Sequence, residues 1–166
     1  MPQRGEKFRL LDLVVRNARL AFGLEWKHPR RQSQEILRAL RDLLDLEVEP
    51  HRIECFDISN IQGSDIVASM VVFEDGLPRK SDYRKFRIRG VAGAPDDFAS
   101  MREVVGRRYK RLLEEGKDMP DLVLIDGGKG QLGAAVAALE ELGIGDQPVA
   151  SLAKKEELIF LRGREY

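Results

Sequence analysis

The sequence predicts a mixed α/β sheet flanked by helices, in the order β-β-β-α-β-α-β, behind a helical segment over residues 1–50. Three observations carry that expectation. Apolar, β-rich runs follow one another closely between residues 52 and 89, split by turn signals. From residue 96 onward, long helical patterns alternate with short apolar runs, the signature of parallel crossovers. The chain has 166 residues, 43% of them hydrophobic and 34% charged, enough for one ordinary core.

Taken in order, residues 6 to about 22 read as an amphipathic helix with Phe8, Leu11, Val14, Val15 and Ala18 on one face. Pro29-Arg30-Arg31 reads as a break, and a second helix is expected from about Ser33 to Leu46. After Pro50 the texture changes. Arg52 to Ile58 is a buried strand, Gln62 to Asp65 a turn, and Ile66 to Phe73 a second strand. Glu74-Asp75-Gly76 is a hairpin signal. Tyr83 to Arg89 alternates, with Phe86 and Ile88 on one side and Lys85, Arg87 and Arg89 on the other. Asp96 or Asp97 caps a helix of about 17 residues. A strand from Asp121 to Ile125, a helix from about Gln131 to Leu142 and a strand from Pro148 to Ala153 follow, and Leu158 to Leu161 starts another.

Lys and Arg number 28, as do Asp and Glu, so bulk charge points to no polyanionic partner. The single cysteine, Cys55, excludes a disulfide framework and a cysteine-rich zinc site. No apolar run is long enough to span a bilayer and no signal-peptide core is present, so a cytoplasmic, membrane-free protein is expected.

Two segments could carry chemistry. The run Glu54-Cys55-Phe56-Asp57-Ile58-Ser59 places a carboxylate inside an apolar strand, which costs free energy unless it is paired or caps a turn. The run Leu122 to Ile125 leads straight into Asp126, then Gly127-Gly128-Lys129-Gly130-Gln131. Asp126 could simply be a helix cap over a tight turn. The spacing Gly128-x-Gly130-x-x-Gly133 also fits a dinucleotide-binding turn, although three antiparallel strands precede it and no acidic residue ends the next strand. Lys129 is followed by Gly130, which excludes a P-loop. A third reading sets the strand of Asp126 parallel beside the strand of Asp57, so that both carboxylates emerge at one sheet edge. Their repulsion would be relieved by a divalent cation, and oxygen-only ligands suit Mg²⁺ or Mn²⁺. Such a site supports phosphoryl transfer.

Local charge agrees with a phosphate partner. Residues 79–89 hold six cations against Asp82, and residues 102–111 hold five against Glu103. Lys85, Arg87, Arg89, Arg107, Arg108 and Lys129 are the candidates for contacts to a nucleic-acid backbone, and Asn60 and Gln62 for lining the site. A solvated charged face on a non-enzymatic nucleic-acid-binding module is the competing account. His28 and His51 precede the first strand and read as ordinary loop residues.

At these residues the chain resembles a known family. Glu54 to Gly63, Val67 to Phe73, Ser81 to Phe86, Asp96 to Met101, Arg107-Arg108-Tyr109 and Leu124 to Gln131 are similar to the C-terminal nuclease region of the UvrC family, the incision subunits of bacterial nucleotide excision repair. The resemblance implies an RNase H-like endonuclease domain over residues 51–166, related to endonuclease V, that makes the incision 5′ to a lesion. It also implies a divalent metal and work on DNA together with UvrB. Carried over residue by residue, the family's two catalytic aspartates fall on Asp57 and Asp126, and a further carboxylate on Asp97. The family's site also holds a histidine downstream of Ala153 to Glu157, which this chain does not reach. The resemblance therefore implies a piece of a longer protein, weakly active or inactive by itself.

Overall fold

The computed structural model describes residues 29–60, 66–89, 96–153, 158–162, 164 and 165. The helix expected over 6–22 and the turn at 62–65 lie outside them. Helix α1 runs Pro29–Leu44. It starts earlier than the sequence suggests because proline, with its fixed φ and missing N–H, is well placed in a first turn and starts the helix there. Strands β1 (Arg52–Asn60) and β2 (Ile66–Glu74) pair antiparallel. Asp75 and Gly76 both take positive φ, 52° and 75°, the turn geometry that the Asp-Gly pair favours between twisted strands. A Cβ on Gly76 would lie 2.7 Å from that of Ser33, so the hairpin tip rests on α1 at a point with no room for a side chain.

The expected third strand arrives in two pieces. A two-residue β3 (Leu77–Pro78) and a 3₁₀ turn (Lys80–Asp82) precede β4 (Arg84–Arg87), and both strands pair with β2. The turn is held by Asp82, whose carboxylate accepts from Arg52 Nη1 at 3.0 Å. Burial alone would raise that carboxyl. The hydrogen bonds from Arg52 and Ser81 and the charges of Arg52 and Arg79 outweigh it and leave it below its ordinary value.

Helix α2 (Asp97–Glu114), strand β5 (Leu122–Asp126), helix α3 (Lys129–Glu141) and strands β6 (Val149–Ala153), β7 (Leu158–Leu161) and β8 (Arg164–Glu165) complete the described chain. The sheet order is β3-β2-β1-β5-β6-β7-β8, with β4 beside β2. Strands β1, β5 and β6 are parallel neighbours, as the crossovers demand. Two apolar layers sandwich this sheet. On one face Phe56, Met70, Val123 and Ile125 pack under Met101, Val104, Val105 and Leu132 of α2 and α3. On the other, Ile53, Leu122, Leu124 and Leu152 pack under Leu37, Leu40 and Leu44. Helix α1, from the segment read as a helical appendage, is therefore a layer of the same core. No helix among the described residues is long and apolar enough to cross a membrane.

A buried ion cluster ties α2 to β1. Glu54 is wholly buried. It accepts from Arg108 Nη2 at 2.7 Å, Arg108 Nε at 3.1 Å, Arg52 Nη2 at 3.1 Å and the Tyr109 hydroxyl at 3.1 Å. The Tyr109 ring packs edge-on against Phe56, centroids 6.0 Å apart. Burial, and then the Glu54 charge, push the Tyr109 hydroxyl well above its ordinary value, so folding favours the neutral phenol. Its contribution is complete below the unfolded-state value of about 10 and is lost as pH climbs from there toward the raised folded value. Tyr109→Phe should cost roughly 1.5–3 kcal/mol at neutral pH, the worth of a hydrogen bond to a charged group. Urea titrations at pH 8 and above 10 should show the wild-type advantage shrinking with alkali.

Candidate active site

The chemistry-bearing residues collect at the C-terminal ends of the parallel strands. In the β1–β5 register Cys55 lies opposite Leu124 and Phe56 opposite Ile125. The paired ladder ends there; continued by one residue, the same register would bring Asp57 beside Asp126 at one interstrand spacing, about 4.8 Å at the backbone. Side chains alternate along a strand, so both aspartates share the face of Cys55 and Leu124, the face that α1 covers further down. Both are partly exposed at the rim of that face. Asp57 accepts from the Ser59 hydroxyl at 3.1 Å, and across the sheet its row continues through Ser69 on one side and Leu152 on the other.

Asp57 lies within a strand, and Asp126 is not the N-cap residue of α3. Strand β1 runs on for three residues past Asp57. The N-cap of α3 is Gly128, with no side-chain hydrogen bond. Asp96 likewise settles the choice at α2: its carboxylate accepts from the backbone N–H of Phe98 and Ala99, both at 3.0 Å. Asp97 is thereby released from capping, and its Oδ1 is buried with no hydrogen-bond partner. An unpaired buried oxygen is costly. Helix α2 begins at the same end of the sheet as α3, since the Phe98 ring lies against Gly130. No group of three or more His, Cys, Asp and Glu poised to hold a metal occurs among the described residues, so Asp97 does not join Asp57 and Asp126 in such a cluster.

The basic candidates divide. Lys85, Arg87, Arg89 and Lys129 are exposed. Arg107 lies over the Phe86 ring at 5.9 Å and donates to Glu103 and to the Arg87 carbonyl, both at 2.9 Å. Arg108 is only 15% exposed and is engaged by Glu54. That corrects its expected role: it is a structural cation. His51 pairs with Asp75 at 2.9 Å, at the opposite end of β1 from Asp57. Asn60 ends β1, and Gln62 lies outside the described residues. The dinucleotide reading fails on space as well as topology, because Phe98 fills the approach to Gly130 that a pyrophosphate would need. The sequence reading missed Glu54, whose signal was a charge on the core-facing side of an apolar strand.

The mixed sheet flanked by helices, with Asp57 and Asp126 toward the C-terminal ends of adjacent parallel strands, is the fold of an RNase H-like endonuclease domain, the class that the family match shows. A family model described as the UvrC RNase H endonuclease domain matches residues 41–165, and the chain belongs to that family. The UvrABC system protein C of Solibacter usitatus is 61% identical over 164 residues, and that of Koribacter versatilis 58% over 165. Each alignment takes in 99% of this chain, which spans about a quarter of those relatives, 26% and 27%. Ciona intestinalis endonuclease V, solved with a 24mer DNA containing an inosine followed by a ribo-adenosine, is similar at TM-score 0.48 and 15% identity, over 75% of this chain and 58% of that one.

Proposed function

We propose that this domain hydrolyses a DNA phosphodiester with Mg²⁺ or Mn²⁺ held by Asp57 and Asp126. The β1–β5 register supports the proposal, since its continuation by one residue would bring together two carboxylates that would gain from a shared cation. The donor set is oxygen-only and suits a hard ion. When bound, such an ion stabilises charge on the attacking and leaving oxygens. The protein's own residues do the rest. Ser59 orients the Asp57 carboxylate by its hydrogen bond. Asp97 offers a further carboxylate beside α3, its buried oxygen able to accept a hydrogen bond or a ligand. Lys129, Lys85, Arg87, Arg89 and Arg107 neutralise backbone phosphates, and Arg108 with Glu54 fixes α2 against β1.

In the whole protein this activity is the incision 5′ to a lesion during nucleotide excision repair, carried out in the cytoplasm on DNA together with UvrB. The relatives' membership of the UvrABC system supports that reading. The test is a nicking assay on lesion-bearing duplex with UvrB, this sequence replacing the matching segment of the Solibacter usitatus protein. Incision should appear with Mg²⁺ or Mn²⁺, vanish with EDTA and return on readdition. Incision that persists in EDTA would reject the metal-dependent reading.

A further inference from the structure

Phe98 is 57% exposed, and among the described residues the other exposed large hydrophobic side chains are the aliphatic Val48 and Leu113. Exposure alone would be unremarkable for one side chain. What sets the ring apart is where and how it is held. Its backbone N–H is fixed by the Asp96 cap at 3.0 Å. A methyl group at Gly130 would lie 2.6 Å from ring atoms Cε1 and Cζ, so one ring edge rests on bare backbone in the first turn of α3. Asp97 precedes it directly, Lys129 precedes Gly130, and α3 follows Asp126. The ring thus bridges the start of α2, which bears Asp97, and the start of α3, which follows Asp126 by three residues.

We propose that Phe98 is a stacking platform for a nucleobase, a base-binding subsite where the starts of α2 and α3 meet at the end of the sheet that bears the candidate carboxylates. The inference rests on the endonuclease reading above and adds a contact to it. A flat, half-exposed apolar ring seated on backbone complements a ligand with an apolar face and a charged backbone, which is an unpaired or splayed nucleotide. Gly130 is then required for the ring's seat.

The experiment is fluorescence anisotropy of the 166-residue chain with a labelled duplex carrying a central unpaired segment. Ca²⁺ replaces the catalytic ion, and the titration is repeated across a salt series. Phe98→Ala should weaken binding about ten-fold, because stacking on one base is lost. The slope of log affinity against log salt should stay at the wild-type value, since the ring neutralises no phosphate. Phe98→Trp should restore affinity. Gly130→Ala, which displaces the ring, should weaken binding with no fall in the thermal midpoint. Wild-type affinity in Phe98→Ala would overturn the proposal and leave the ring to a protein contact. A changed salt slope would also overturn it, by showing that charges had moved. Failure of the wild-type chain to bind this DNA would strike the endonuclease reading itself.

Discussion

Glu54→Ala should destabilise this domain by roughly 3–5 kcal/mol, the usual cost of removing one partner from a buried ion cluster. Glu54 is wholly buried and accepts four hydrogen bonds from three side chains. Its loss leaves Arg108, only 15% exposed, without its counter-charge, and leaves the buried Tyr109 hydroxyl without an acceptor. Glu54→Gln keeps the shape and an acceptor and should lose less. Chemical denaturation at pH 7 ranks the three proteins. A Glu54→Ala domain within about 1 kcal/mol of wild type would mean the cluster does not hold α2 to β1.

Asp57→Asn or Asp126→Asn should each reduce incision by at least about a thousand-fold with the fold intact. Losing a metal ligand removes several kcal/mol of stabilisation from the charged transition state, and each 1.36 kcal/mol is a factor of ten. Without metal, either substitution removes one of two neighbouring negative charges, so thermal stability should hold or rise slightly. That sign separates a chemical defect from an unfolded variant. Asp97→Asn should reduce incision less, since no group of three or more poised to hold a metal includes it among the described residues, and should not lower stability where it replaces the unpartnered Oδ1.

The strand ends were legible from the sequence because physics leaves few ways to read them. Four apolar residues running into Asp126, and an apolar strand interrupted by Asp57, fit a sheet centre when each carboxylate is either paired inside, as Glu54 is, or brought to the rim, as these two partly exposed ones are. Asp75-Gly76 was legible for the same reason, since few residue pairs accept two positive φ angles. The ion cluster was not legible. Arg108 lies in a run of cations that local charge assigns to solvent, and its partner is 54 residues away on another element. Nor could sequence choose between Asp96 and Asp97 as the cap. Either fits an N-cap, and the choice turns on one residue of helix phase, which packing sets. Pro29 was misplaced because proline both breaks helices and starts them.

The most direct test of the central claim is paramagnetic line broadening in the ¹⁵N–¹H spectrum of the chain under substoichiometric Mn²⁺. The amides around Asp57 and Asp126 should broaden first and together, and Asp126→Asn should abolish the effect at both. Broadening centred instead on the acidic stretch at residues 42–49, or on Glu74 and Asp75, with residues 57 and 126 untouched, would contradict a metal centre built on the paired strands.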